Sequence, residues 1–426
     1  MKNFLLKVSK KKFVRSVFIV ASGTAAAQLL TVAFSPIITR IYGPESFGIL
    51  GVFTATIAVL SPLSALTFPH SIVLPKSESE AVRLIKLSLL LSILTSSLAL
   101  VIISIFNIIG IQFLVDDLGY LIYLLPIVML FTGSLQVIQQ WLFRTNRFKI
   151  SAKAEFKNKL YINLTKVLFG LLHPFASTLV IIASVSKGLY TFTLYRSAKL
   201  KIKVEDISIN FSELISTMNK YKDFPMFRAP QALLSAFSKS LPIILLGALW
   251  GPASAGFYSI CNTVLGMPAK LIGNSVGNVL YPKVTEVYNE DRKVKPLILK
   301  STLFMGLLGI VPFGLIVIIG PQLFALIFGE DWYFAGEYAR WLSVLMYFNF
   351  ICRPSIVVVP VLKEQGGLLR YELISVIVKV VVLLVGLLIL RNDIIGVALF
   401  SISGSIMVTL LIVWVLYKCH LKDSKL

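Results

Sequence analysis

Seven residues decide how this chain is read. Tyr42-Gly43-Pro44-Glu45-Ser46-Phe47-Gly48 returns at an offset of 208 as Trp250-Gly251-Pro252-Ala253-Ser254-Ala255-Gly256. An aromatic, Gly, Pro, Ser and a second Gly hold the same places in both. Each stretch separates two long apolar runs. That predicts a tight Gly-Pro turn after one helix, a Ser that caps the next, and a Gly that allows close packing. Pro62 and Pro268 follow at similar depths in the next runs. A turn repeated at one topological place predicts two halves of like build.

Outward from these turns, the apolar runs fill almost the whole chain. Of its 426 residues, 57% are hydrophobic and 14% charged, with a mean hydropathy of +0.85. A soluble chain carries about 25% charged residues. A bilayer core of about 30 Å takes about 20 apolar residues as a helix. Runs of that kind fall at 13–38, 46–69, 84–109, 119–141, 156–172, 175–196, 222–249, 253–280, 297–320, 335–361, 367–390 and 394–417. The fold predicted is an all-α polytopic membrane protein of about 12 transmembrane helices. They divide into a six-helix half over 1–196, a linker over 197–221 and a second six-helix half over 222–426. The fifth run is the least apolar, because Lys159 and Lys166 interrupt it, and His173-Pro174 breaks it from the sixth.

The net charge of +21 is not the footprint of a nucleic-acid binder, since the charges sit in short clusters between apolar runs. Of the 41 Lys and Arg, only Arg40 and Arg391 fall in the loops of one side, which instead hold Asp116, Asp117, Glu330, Asp331 and Glu337. The clusters belong to the other side, which is the cytoplasmic one by the positive-inside rule. Both termini and the linker are then cytoplasmic. Ala25-Ala26-Ala27 has the look of a signal cleavage site, but the apolar run continues to Ile38, too long for a signal segment. Thr24, Gln28, Thr31, Ser35 and Thr39 form one polar stripe, which suits a retained helix facing a cavity or another helix. Cys261, Cys352 and Cys419 show no metal or disulfide spacing, and His70, His173 and His420 read as helix-end or loop residues. No metal site is expected.

Thr39 to Gly48 resembles the opening of the polysaccharide repeat-unit flippases, the Wzx-type O-antigen translocases. Phe328-Gly329-Glu330-Asp331-Trp332 with Ala335-Gly336, and Arg147-Phe148-Lys149, resemble further stretches of that family. The same motifs recur across the multidrug/oligosaccharidyl-lipid/polysaccharide exporter superfamily. The resemblance implies two pseudo-symmetric halves around a central cavity in the bacterial inner membrane. It implies translocation, by alternating access, of undecaprenyl-pyrophosphate-linked oligosaccharide repeat units from the cytoplasmic to the outer leaflet, for O-antigen or capsular polysaccharide. It implies no cofactor and no enzymatic chemistry, with a proton or sodium gradient as the driving force. Its partners would be the lipid-linked oligosaccharide and membrane lipids, with a polysaccharide polymerase and a chain-length regulator as further candidates.

Charged residues inside spans are costly and usually face a cavity or a partner. Those here are Lys166, Lys187, Arg228, Lys239, Lys270, Arg340, Arg353 and Lys379, and no acid lies equally deep in these spans. Such a set wants an anion or water, and a pyrophosphate is an anion that Arg and Lys hold well. Arg228, Lys270 and Arg353 lie roughly 9–15 Å from the inner ends of their spans, at one level. Arg228, Gln231, Ser235 and Lys239 share a helix face. The expected substrate set is Arg228, Lys239, Lys270 and Arg353, with Lys166, Lys187, Lys379 and Gln28. Flexing is expected at Gly43-Pro44, Gly251-Pro252, Pro230 and Pro242. For Arg340 and Arg228 the bland alternative is snorkelling to the interface.

A multidrug or organic-cation exporter of the same fold is the alternative, though it would usually need buried acids. A polysaccharide polymerase would carry a large outer loop, and none is present. Loop 75–80 lacks the major-facilitator signature, and no P-loop or catalytic triad pattern occurs.

Overall fold

A computed structural model describes residues 2–110, 116–198 and 211–424. Within these, the side chains of residues 2–22, 24, 116, 117, 211, 269, 270, 274, 275 and 278 lie outside the description. The helices in chain order are α1 (Lys2–Leu60), α2 (Glu78–Ile109), α3 (Leu124–Arg144), α4 (Phe148–Gly170), α5 (Ala176–Ala198), α6 (Phe211–Lys220), α7 (Ala229–Trp250), α8 (Pro252–Asn289), α9 (Lys295–Phe328), α10 (Tyr333–Ile351), α11 (Arg353–Val358), α12 (Gln365–Leu384) and α13 (Asp393–Asp423). Nine helical stretches of the described residues are long and apolar enough to cross a membrane. The three other predicted spans are the second arm of α1, which bends at Gly43, together with α4 and α8. Both α4 and α8 have the length and lack the apolar density, α4 because Lys153, Lys157, Lys159 and Lys166 dilute it. In lipid, only a helix satisfies every backbone group within the segment.

The chain forms two compact units. The first comprises residues 1–42 and 49–244, the second 43–48 and 245–426. In the first, α2 and α3 meet through small residues. A Cβ on Gly133 would fall on the Ser92 hydroxyl, Ser92 donates to the Leu130 carbonyl at 3.3 Å, and Thr95 donates to the Ser64 carbonyl at 2.7 Å. Without a hydrophobic drive between helices in lipid, such packing and hydroxyl bonds hold spans together. A short 3-10 turn, Phe68–Val73, follows α1 and is pinned from α3. Arg144 donates to the carbonyls of Ile72 (3.0 Å), Pro75 (2.6 Å) and Ser77 (3.2 Å). Arg144 is a structural strap.

The predicted linker contains a helix. Residues 199–210 lie outside the described residues, but α6 follows, with Leu214 buried in one cluster with Phe68, Leu84, Ile85 and Trp141. It is tied to the start of α2 by Lys220–Glu80 and Tyr221–Glu80 bonds and an Arg83–Glu213 pair at 3.6 Å. The bond from Lys220, with a second from Tyr221, holds the Glu80 carboxyl below the usual carboxylate range.

In the second unit, α9 and α10 touch where Gly320 and Gly336 leave no room for side chains. The α9 backbone departs from helix at Ile319 (φ −118°, ψ 20°), just before Gly320-Pro321. Gly386, in a π turn after α12, meets Gly396 of α13 in the same way. The carboxylate of Asp423, at the end of α13, accepts from the Val294 and Lys295 amides (2.8 and 2.9 Å), closing the free N-terminus of α9. Span ten is broken: α10 ends at Ile351 and α11 restarts at Arg353.

Candidate functional site

The two repeated turns have the same conformation and pack on each other. Gly43 (φ 69°, ψ 173°) and Gly251 (φ 87°, ψ 171°) both occupy a backbone region open essentially to glycine alone. A Cβ on Gly48 would fall on the Pro252 carbonyl, and one on Gly256 on the Pro44 carbonyl. The contact is reciprocal, as a pseudo-two-fold relation between repeats requires. All of these residues lie in the second unit, because 43–48 belongs to it.

The third motif joins the same cluster. Gly329 (φ 113°, ψ 161°) makes another turn of this kind, and Trp332 behind it is 1% exposed. Its ring meets Phe47 edge-on at 5.4 Å and Phe257 at 6.2 Å, one from each repeat. Phe257 also packs on Tyr338 at 5.9 Å. The turn serine does not cap its helix as expected, since Gly251 takes the cap place and no side chain bonds there. Ser254 instead donates to the Asp393 carboxylate at 2.6 Å, which also accepts from the Tyr338 hydroxyl (2.5 Å) and the Ile394 amide (2.9 Å). Asp393 lies one residue outside the predicted twelfth span, so its role as the acceptor at the centre of this knot escaped the sequence reading.

The cationic residues divide between the units. Arg228 and Lys239 lie in the first unit and are exposed, as is Gln231 between them, while Ser235 is half-buried. The predicted polar face of α7 is therefore open rather than packed. Pro242 lies inside α7, which continues through it as helix. The irregular turn comes earlier, where Phe224–Arg228 widens into a π turn just before Pro230. Arg228 acts on His70, whose imidazole is held below its ordinary range by burial, with the charge of Arg228 adding to it. Gln140 Nε2 lies 3.2 Å from His70 Nδ1. His70 and Gln140 are thus neighbours of the candidate site that helix-by-helix reading could not bring together.

Lys166 and Lys187 are half-buried on α4 and α5, and Tyr42 donates to the Lys166 carbonyl at 2.9 Å. Among the described residues neither forms an ion pair with an acid, and neither do Arg228, Lys239 or Arg353. Arg353 begins α11, half-buried, and its side chain covers Gly273 of α8. Lys270 is on α8, and its side chain lies outside the described residues. Lys379 stands over the Phe400 ring at 5.9 Å. Arg340 departs from the expectation: Glu337, one turn away, pairs with it at 3.1 Å, so it has an acid partner. Gln28 is half-buried on α1. The stripe around it is largely satisfied locally: Thr31, Ser35 and Thr39 donate to carbonyls of their own helix at 2.7–3.1 Å, and Thr24 lies outside the described side chains. Among the described residues no group of three or more His, Cys, Asp or Glu is placed to hold a metal ion.

The chain is 24% identical to the capsular polysaccharide biosynthesis protein CapF of Staphylococcus aureus over 61% of its own length and 65% of that protein. It is 22% identical to the succinoglycan biosynthesis transport protein ExoT of Rhizobium meliloti over 81% of its length and 67% of that protein. It therefore spans about two thirds of each of these relatives. In fold it is similar to an inward-facing multidrug resistance MATE transporter (TM-score 0.74, 13% identity, 93% of this chain and 96% of that one). It is also similar to the lipid II flippase MurJ (TM-score 0.68, 12% identity, 93% and 87%). A family model described as polysaccharide biosynthesis protein matches residues 37–337, a stretch that begins just before the first Gly-Pro turn and ends just after the Trp332 motif. By that match the chain belongs to the polysaccharide biosynthesis protein family, as a multi-pass membrane protein with the fold of the multidrug/oligosaccharidyl-lipid/polysaccharide exporters.

Proposed function

We propose that this chain carries a lipid-linked oligosaccharide repeat unit across the bacterial inner membrane, from the cytoplasmic to the outer leaflet, and does no covalent chemistry. The observation that carries this reading is the set of intramembrane cations without acid partners. Arg228, Lys239, Lys166, Lys187 and Arg353 form no ion pair among the described residues. A charge held at membrane depth is tolerated when it meets a counter-charge or water. A pyrophosphate linking an undecaprenyl tail to a sugar supplies that counter-charge, whereas an organic cation would be repelled. Family membership and the fold shared with MurJ support the same reading.

In this mechanism the tail stays at membrane depth while the sugar and pyrophosphate cross along a diffuse cationic surface. Arg228, Lys239, Lys270 and Arg353 are its centre. Each contact is weak enough to release the anion. The two halves rock about the Gly43-Pro44 and Gly251-Pro252 turns, driven by a proton or sodium gradient. Both termini and the segment 197–221 face the cytoplasm, in keeping with the placement of Lys and Arg. The product suits O-antigen or capsular polysaccharide assembly, with a polymerase acting next.

The test is complementation of a strain that lacks its own repeat-unit flippase. The unaltered chain should restore surface polysaccharide, read by immunoblot. Failure in hosts of several capsule and O-antigen types, coupled with a gain of resistance to cationic drugs, would replace this reading with the exporter one.

A further inference from the structure

A groove of about 780 Å³ runs between α4 and α5, wholly within the first unit. Along α4 it extends from Ala154 to Phe169, roughly 22 Å at 1.5 Å per residue. Tyr161 and Phe169 form one wall, Ile181, Val185 and Leu189 the other. Tyr161, Val185 and Leu189 are 63%, 54% and 60% exposed, so the trough opens to the side. Two of its polar groups are already paired. Ser186 donates to Asn158 at 3.0 Å, and Thr178 to the His173 carbonyl at 3.0 Å.

Charge is present at one end only. Lys157 lines that end, and Lys153 and Lys149, also exposed, follow one and two turns away on α4. On α5, Arg196 is exposed seven residues after Leu189, on the same helix face. Its guanidinium stands 5.2 Å over the Phe192 ring. Toward the other end, no Lys or Arg occurs anywhere from 167 to 186. An apolar trough closed by cations at a single end is complementary to a lipid with an anionic head and one long chain. Cations gather at the cytoplasmic ends of spans in general. What favours one anionic lipid over bulk lipid here is that Lys157 lines the mouth of a trough otherwise without Lys or Arg in its lining.

We propose that this groove holds the polyprenyl chain of the substrate, with its phosphate against Lys157 and Arg196. The assignment rests on the reading that the substrate is polyprenyl-linked. One seam between two helices takes one linear chain, and the Tyr161 and Phe169 rings offer flat faces to its double bonds. The groove thus holds the anchor in the membrane on the side where the cations lie, while the head group is handed to the cationic residues of the translocation path. Lys166 and Lys187 do not line it.

The experiment uses the full-length protein in nanodiscs and undecaprenyl phosphate as the probe, with binding read by native mass spectrometry. Val185→Trp, which fills the trough, and the double variant Lys157→Glu/Arg196→Glu, which repels the phosphate, should each weaken binding at least tenfold. Ile406→Trp, an equally bulky change at an exposed position of α13, should leave it unchanged, and a tenfold excess of phosphatidylglycerol should not displace the probe. Wild-type binding by both groove variants overturns the assignment, provided each elutes as a single peak in size exclusion. Free exchange with phosphatidylglycerol overturns it too, as it would mark a general anionic-lipid seam. The function reading fails separately, by loss of complementation by the unaltered chain.

Discussion

Gly48 and Gly256 each lie against the backbone of the other repeat, so neither can carry a side chain unless the two turns separate. Gly48→Ala and Gly256→Ala should therefore lower thermal stability in detergent, read by tryptophan fluorescence. Gly266→Ala, with open space at its Cβ, should not. Trp332→Ala removes the ring that both repeats enclose and should cost about 3–5 kcal/mol, the range for a buried aromatic cut to Ala. The need for glycine at these turns was legible in the sequence, because a repeated Gly-Pro with a Gly four residues after the Pro has few other reasons. The destination of Ser254 was not. A cap is the local role of such a serine, and Asp393 lies 139 residues away. Arg340 failed for a related reason: Glu337 was assigned to a loop, although one helical turn brings it to the arginine.

At the scale of elements, twelve apolar runs became helices because length and hydropathy in lipid leave no other structure. The hydropathy signal was weakest at α4, and of the lysines that weaken it Lys157 lines the charged end of the groove. The α6 helix was missed because only its Leu214 side is apolar enough to bury, and a segment so short reads as linker. Its attachment to α2 is electrostatic at one end. The Glu80 pKa is depressed in the folded state, so the stabilisation is present above its unfolded value and lost as pH falls through the folded one. Protection of Phe211–Lys220 in hydrogen exchange should accordingly decline below about pH 4, the ordinary glutamate range. Glu80→Gln should show low protection at every pH, and an unchanged pH profile in that variant would remove the Lys220–Glu80 bond from the account.

At the scale of the whole molecule, the sequence carried span number and the repeat, because each recurs along the whole chain. Which cations face a path is not such a property, since it depends on how helices far apart in the chain are placed. Topology is tested first. In a variant freed of Cys261, Cys352 and Cys419, a cysteine at 117 should react with an impermeant reagent in intact spheroplasts and one at 201 should not. The function proposed has intramembrane cations carry a pyrophosphate-linked sugar through the membrane. Its most direct test is the rate at which a fluorescently labelled undecaprenyl-pyrophosphate oligosaccharide becomes accessible to an impermeant quencher across proteoliposomes. Wild type should speed this well above empty liposomes. Arg228→Ala and Lys270→Ala should slow it at least tenfold, and Arg228→Glu and Lys270→Glu should bring it to the empty-liposome rate, with equal protein incorporated. Wild-type rates from both glutamate variants would contradict the claim.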